Sequence, residues 1–128
     1  VGEAGDRWPD VTHIIAGPRR VLLALTTAGI RATMDPRNLN PPCVMVTPSD
    51  TTRLTVTKCR QAVEVSAVVP GAANLDALTK LDSLTGAVLT ALDVDGLPWT
   101  EARYTTITAT TGEDLLAYTL TVPLTMEV

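Results

Sequence analysis

The sequence predicts an α+β fold: a two-layer sandwich in which two helices pack on one face of a mostly antiparallel sheet of four to five strands. Three observations lead there. Residues 10–28 and 74–92 repeat apolar side chains at helical spacing, the stretches that follow each of them alternate with period two, and Gly- and Pro-containing turns separate the segments. With 128 residues and an apolar share of 45%, the chain is long enough for one core. Aromatics are scarce, with two Trp, two Tyr and no Phe, so that core must be built from Val, Leu, Ile, Ala and threonine methyls.

Residues 1–9 hold Gly, charges and Trp8 without periodicity, and are read as an extended arm preceding a single domain over 10–128. Trp8, beside Pro9, either staples onto the next helix or anchors on a neighbouring subunit. Val1 in place of an initiating Met points to a short piece processed or trimmed, and no signal peptide is expected. Asp10 suits an N-cap, and Val11, Ile14, Ile15, Val21, Leu22, Leu25 and Ala28 form a stripe. Gly17-Pro18 interrupts it without losing phase, which predicts one kinked helix or two stacked half-helices, stopped at Gly29. His13 lies beside the stripe as a surface histidine, and Arg19-Arg20 reads as a solvated face in preference to a phosphate site.

A short strand over 30–34 leads into Asp35-Pro36-Arg37-Asn38-Leu39-Asn40-Pro41-Pro42, a loop stiffened by three prolines that suits neither a helix interior nor a sheet centre. Cys43 to Thr47 reads as a buried strand, and Pro48-Ser49-Asp50 as a turn. From Arg53 the chain alternates, with Val63, Val65, Ala67 and Val69 on one face and Glu64 and Ser66 on the other. Around Lys58-Cys59-Arg60 the phase blurs, which predicts a bulge or a mobile hairpin reaching out of the domain. Asn74 caps a second helix striped by Leu75, Leu78, Leu81, Leu84, Val88 and Leu92, with Asp76 at its positive end. Asp93-Val94-Asp95-Gly96 lacks the later ligands of a calcium loop and reads as a turn. A closing hairpin joins strands over 101–110 and 116–124, with Pro123 marking an edge position.

The chemistry-bearing residues are few. A lone His leaves no base for a nucleophile, no Gly-rich phosphate loop is present, and the acids fall in turns and at a helix start. We therefore expect no enzyme, no cofactor and no metal: Cys43 and Cys59 are not in a C-x-x-C pair, and are read as buried thiols, with a disulfide across neighbouring strands as the alternative. A net charge of −4 argues against electrostatic capture of nucleic acid, while leaving open a surface that DNA slides past. No apolar run approaches the ~20 residues of a membrane span. A small open sheet exposes two edges that must be covered, charged or paired, and pairing between subunits is the simplest solution.

The run Asp35-Pro36-Arg37-Asn38-Leu39-Asn40-Pro41-Pro42-Cys43-Val44, preceded by Ala28-Gly29-Ile30-Arg31-Ala32-Thr33 at a helix end, resembles the tail terminator proteins of long-tailed (siphovirus-type) bacteriophages, especially those of actinobacterial hosts. The long strand ending Val68-Val69-Pro70-Gly71, the leucine-striped helix and the final hairpin follow the same order. The resemblance implies a hexameric ring at the head-proximal end of the virion tail, assembled in the host cytoplasm. That ring caps the tail tube, stops its polymerisation, docks the head–tail connector of the neck and lets DNA pass without specific binding. Asp35 to Pro42 carries over as a protein-contact loop, whose bland alternative is a stiff link between two strands. Trp8, Asp50, Arg53, Lys58 and Arg60 are read as belonging to an inter-subunit arm or hairpin. Alternatives are another connector or stopper ring of the same neck and, in a different class, a small monomeric adaptor that binds a protein ligand through the proline loop.

Overall fold

A computed structural model describes residues 13–35, 42–71, 75–108, 112 and 114–127. The elements run α1 (His13–Thr27), β1 (Ala32–Thr33), β2 (Cys43–Arg53), β3 (Lys58–Pro70), α2 (Leu75–Val94), β4 (Glu101–Thr108) and β5 (Asp114–Glu127). The five strands form one sheet in the order β1-β2-β3-β5-β4, antiparallel throughout except for the short parallel pair of β1 and β2. The expected α+β class is what the chain adopts.

One face of the sheet carries the main core. Val44 and Val46 of β2, Val63 and Val65 of β3, and Leu120, Val122 and Leu124 of β5 pack with Val21, Ala24 and Leu25 of α1 and with Val88, Ala91 and Leu92 of α2. Both helices thus contribute side chains to one shared cluster. Ala67, Val69 and Leu116 extend that face beneath Ala77 and Leu81. Toward its C-terminal end β3 is buried on both faces, because Val68, together with Leu115 and Ala117, forms a small cluster on the opposite side. The expected alternation of Val63, Val65, Ala67 and Val69 holds, but Ser66 is also buried, its hydroxyl 3.0 Å from that of Thr119.

α1 is one continuous helix across Gly17-Pro18, with Pro18 inside it. Pro18 lacks a donor, and the N–H of the preceding Gly17 is donated to the Oε1 of Gln61 at 2.7 Å. A strand side chain thus satisfies the N–H of the residue before the proline. Gly29 stops α1 as expected: at φ 82° it lets Ile30 N–H reach Leu25 O and its own N–H reach Thr26 O, both at 3.0 Å. The same six-to-one bond closes α2, from Leu97 N–H to Leu92 O at 2.8 Å, so Asp93-Val94-Asp95-Gly96 is a helix stop. Asp10, Val11 and Asn74 lie outside the described residues.

Four expectations need correction. Pro48-Ser49-Asp50 is not a turn: β2 runs on to Arg53, and Ser49 and Asp50 sit in a bulge where the register shifts between Pro48 and Thr51. One extra residue reverses the parity of the strand, so Thr51 joins Gln61 on the helix-covered side. Of the two alternatives read near Lys58, the bulge falls instead on the partner strand, while a hairpin turn over 54–57 does precede Lys58. Leu75 and Leu78 of the leucine stripe are exposed, since a strict i+3 run drifts about 60° backward per step and leaves Leu75 opposite Leu84. Pro123 does not mark an edge strand: β5 lies between β3 and β4, yet β4 ends at Glu101 opposite Thr121, so the flank of β5 at Pro123 lacks a β4 partner. The two cysteines are buried free thiols, as read from the sequence, and the alternative of a disulfide between them is excluded by geometry. Cys43 pairs with Val68 and Cys59 with Arg53, at opposite ends of the β2–β3 ladder, roughly 30 Å apart at strand spacing and well beyond disulfide reach.

Candidate subunit-contact surfaces

The most prominent feature is the β2–β3 hairpin. Beyond the bulge, every residue of β2 from Pro48 to Arg53 is exposed, and so is the tip from Leu54 to Thr57. The tip closes through Leu54 N–H and Thr55 N–H, both donated to Lys58 O at 3.0 and 3.1 Å. It exposes two apolar side chains, Leu54 at 41% and Val56 at 78%, which gain nothing from water. Arg53, Lys58 and Arg60 are all exposed on the hairpin, with Asp50 the one acid of residues 50–60, and β5 places Glu127 opposite Lys58. Arg53 donates from Nε to Thr55 O at 3.3 Å, which keeps its guanidinium beside the tip. The structure thus brings together four of the five residues read as an arm or hairpin; Trp8 lies outside the described residues.

At its root the hairpin is pinned to α1. Gln61, 1% exposed, accepts from Gly17 N–H and donates from Nε2 to Thr51 Oγ1 at 3.4 Å. Sequence reading missed this residue. The signal was present, since the parity that turns Val63 and Val65 inward also turns Gln61 inward. β3 is also paired along its whole length with β5, down to Lys58 opposite Glu127, so the projection is a three-stranded slab closed by the turn over 54–57. We expect fast amide exchange at residues 54–57 and slow exchange at Gln61 in the free protein, with the tip becoming protected on assembly; equal protection of the tip in both states would contradict an interface role.

Both sheet edges are open among the described residues. β1 pairs only with Val44 and Met45, leaving the outer edge of β2 unpaired from Val46 to Arg53. β4 forms the opposite edge. Its helix-side face is only partly roofed, and a cleft of about 370 Å³ opens there between α2 and β4. Trp99, Tyr104 and Tyr118 line it, which gathers three of the chain's four aromatic residues in one place. A second groove, of about 470 Å³, lies between the two helices and is lined by small side chains such as Ala24, Ala28, Gly86 and Ala87.

The proline loop is seen at its two ends. Asp35 is half-buried, and its N–H is donated to Thr33 Oγ1 at 3.0 Å, while Pro42 is exposed. Pro36, Arg37, Asn38, Leu39, Asn40 and Pro41 lie outside the described residues. Because β1 and β2 are parallel, with Val44 N–H donated to Arg31 O at 2.9 Å, the loop is a crossover between strands and not a hairpin turn. Arg19 and Arg20 are both exposed, as a solvated helix face requires. Among the described residues no group of His, Cys, Asp and Glu is arranged to hold a metal, and no helix is long and apolar enough to cross a membrane. No protein-family model matches the chain, and no curated protein sequence matches it either.

Proposed function

We propose that the protein is a structural subunit of a phage tail, a ring-forming terminator that caps the tail tube and docks it to the neck. The observation that carries this reading is the combination of two open sheet edges with a projecting hairpin whose tip exposes Leu54 and Val56. Such a chain lowers its free energy by self-association, and a repeated head-to-tail contact closes into a ring when its rotation permits. The resemblance of the Asp35–Val44 run to tail terminators supplies the particular assembly: a hexamer on the tube end, with DNA passing through an acidic, non-gripping channel. The proline loop then serves as a contact with the tube or the neck.

The test is the solution mass of the purified protein, alone and mixed with tail tubes, with electron images of both samples. Six-fold rings, or caps that halt tube growth, are expected; a protein that stays monomeric at high concentration and ignores tubes would refute the proposal. In the same assay Arg37→Ala and Asn38→Ala should leave folding stability within about 0.5 kcal/mol while impairing assembly. Unimpaired assembly would reduce the loop to a link between strands.

A further inference from the structure

We propose that the hairpin tip of one copy docks into the aromatic cleft between α2 and β4 of the next copy. The inference rests on the ring reading and assigns its subunit contact.

Three observations converge on that pairing. First, the cleft is apolar and under-filled: Leu78 at 41%, Trp99 at 46% and Tyr104 at 46% are large side chains left half in water around an opening of about 370 Å³. Leu54 and Val56 are the matching exposed apolar groups, carried on the turn that joins β2 to β3. Second, the charges are complementary. Residues 50–60 hold the cations Arg53, Lys58 and Arg60 against the single acid Asp50, while residues 75–95 hold Asp76, Asp82, Asp93 and Asp95 against the single base Lys80. Asp82 stands in the cleft itself. A basic tip meeting an acidic helix gains attraction on approach and sets the orientation of docking.

Third, the contact cannot form within one chain. The cleft lies beside Tyr118 and Leu120, which pair with Ala67 and Val65 of β3, whereas the tip precedes Lys58 at the far end of that strand. Eight residues of extended strand separate them by roughly 25 Å. The tip of one copy and the cleft of another are different surfaces, so the contact is heterologous, the type that propagates around a ring.

Cysteine pairing between differently labelled copies tests this directly. Cys43 and Cys59 are 1% and 3% exposed and stay silent to mild oxidation. Protein carrying Val56→Cys is mixed with protein carrying Leu78→Cys under assembly conditions, and a disulfide-linked dimer of the two is expected, absent when either is mixed with wild type. Val56→Asp should weaken association about thirtyfold or more, the loss typical of a central apolar anchor, with an unchanged melting temperature because the side chain is exposed. Lys58→Glu should weaken association as well, and Asp82→Lys should restore part of it.

Rings that form normally with Val56→Asp overturn the docking assignment and leave the ring reading standing. So does a link from Val56→Cys to Thr90→Cys, which would place the tip in the groove between the helices. A wild-type protein that is monomeric with and without tubes overturns both.

Discussion

Replacing Leu92 with alanine is expected to lower folding stability by about 2–5 kcal/mol, the range for emptying a leucine site in a rigid core. Leu92 is fully buried and sits in the one cluster that joins α1, α2 and three strands. Truncation there removes contacts to both layers of the sandwich at once. The matched control is Leu75→Ala, which belongs to the same leucine stripe in sequence but is 80% exposed, and should stay within about 0.5 kcal/mol. Urea unfolding of the two variants measures the contrast. Equal destabilisation would mean that the first turn of α2 is packed against the body of the protein in solution.

The second large effect is expected at Gly17. Alanine is the better helix former by about 1 kcal/mol, so local propensity alone predicts that Gly17→Ala stabilises α1. The tertiary structure reverses the sign. A Cβ at position 17 would collide with the Gln61 carboxamide and come within 2.9 Å of Val63 Cγ2. Gln61 can swing aside only by giving up its 2.7 Å bond from Gly17 N–H, and Val63 is a stiff β-branched side chain on the central strand. Overpacking of this kind costs about 1–3 kcal/mol, and we expect Gly17→Ala to fall in that range. Gln61→Ala should cost a similar amount, through the buried donor it leaves unpaired.

The two changes share one contact, so the double variant should be less damaging than their sum. A coupling of about 0.5–3 kcal/mol is typical for touching residues. Strict additivity would show that Gln61 does not hold α1 against β3. Since Gln61 also reaches Thr51 at the hairpin root, the same variants should raise amide exchange in the β2 segment beyond the bulge.

By itself the sequence determined the element order, the α+β class and most of the inward-facing residues. Period-two and period-3.6 patterns are local consequences of backbone geometry, and Val63, Val65, Leu81, Val88 and Leu92 fell where those periods put them. Gly29 was legible for the same reason, because an αL residue after a helix is a local requirement that few other residues meet. What only the tertiary structure decided are matters of pairing. The bulge at Ser49-Asp50 was unreadable because Pro48-Ser49-Asp50 has turn composition, and only the ladder to β3 holds it extended. The sheet order placed β5 in the interior despite Pro123, because whether a missing donor matters depends on where the neighbouring strand stops. The cleft that gathers Trp99, Tyr104 and Tyr118 draws on residues far apart in sequence, and so does the seat of Gln61 beneath Gly17. Strand parity turns Gln61 inward, but the group it meets there is set by contacts between distant segments, which no local pattern of residues encodes.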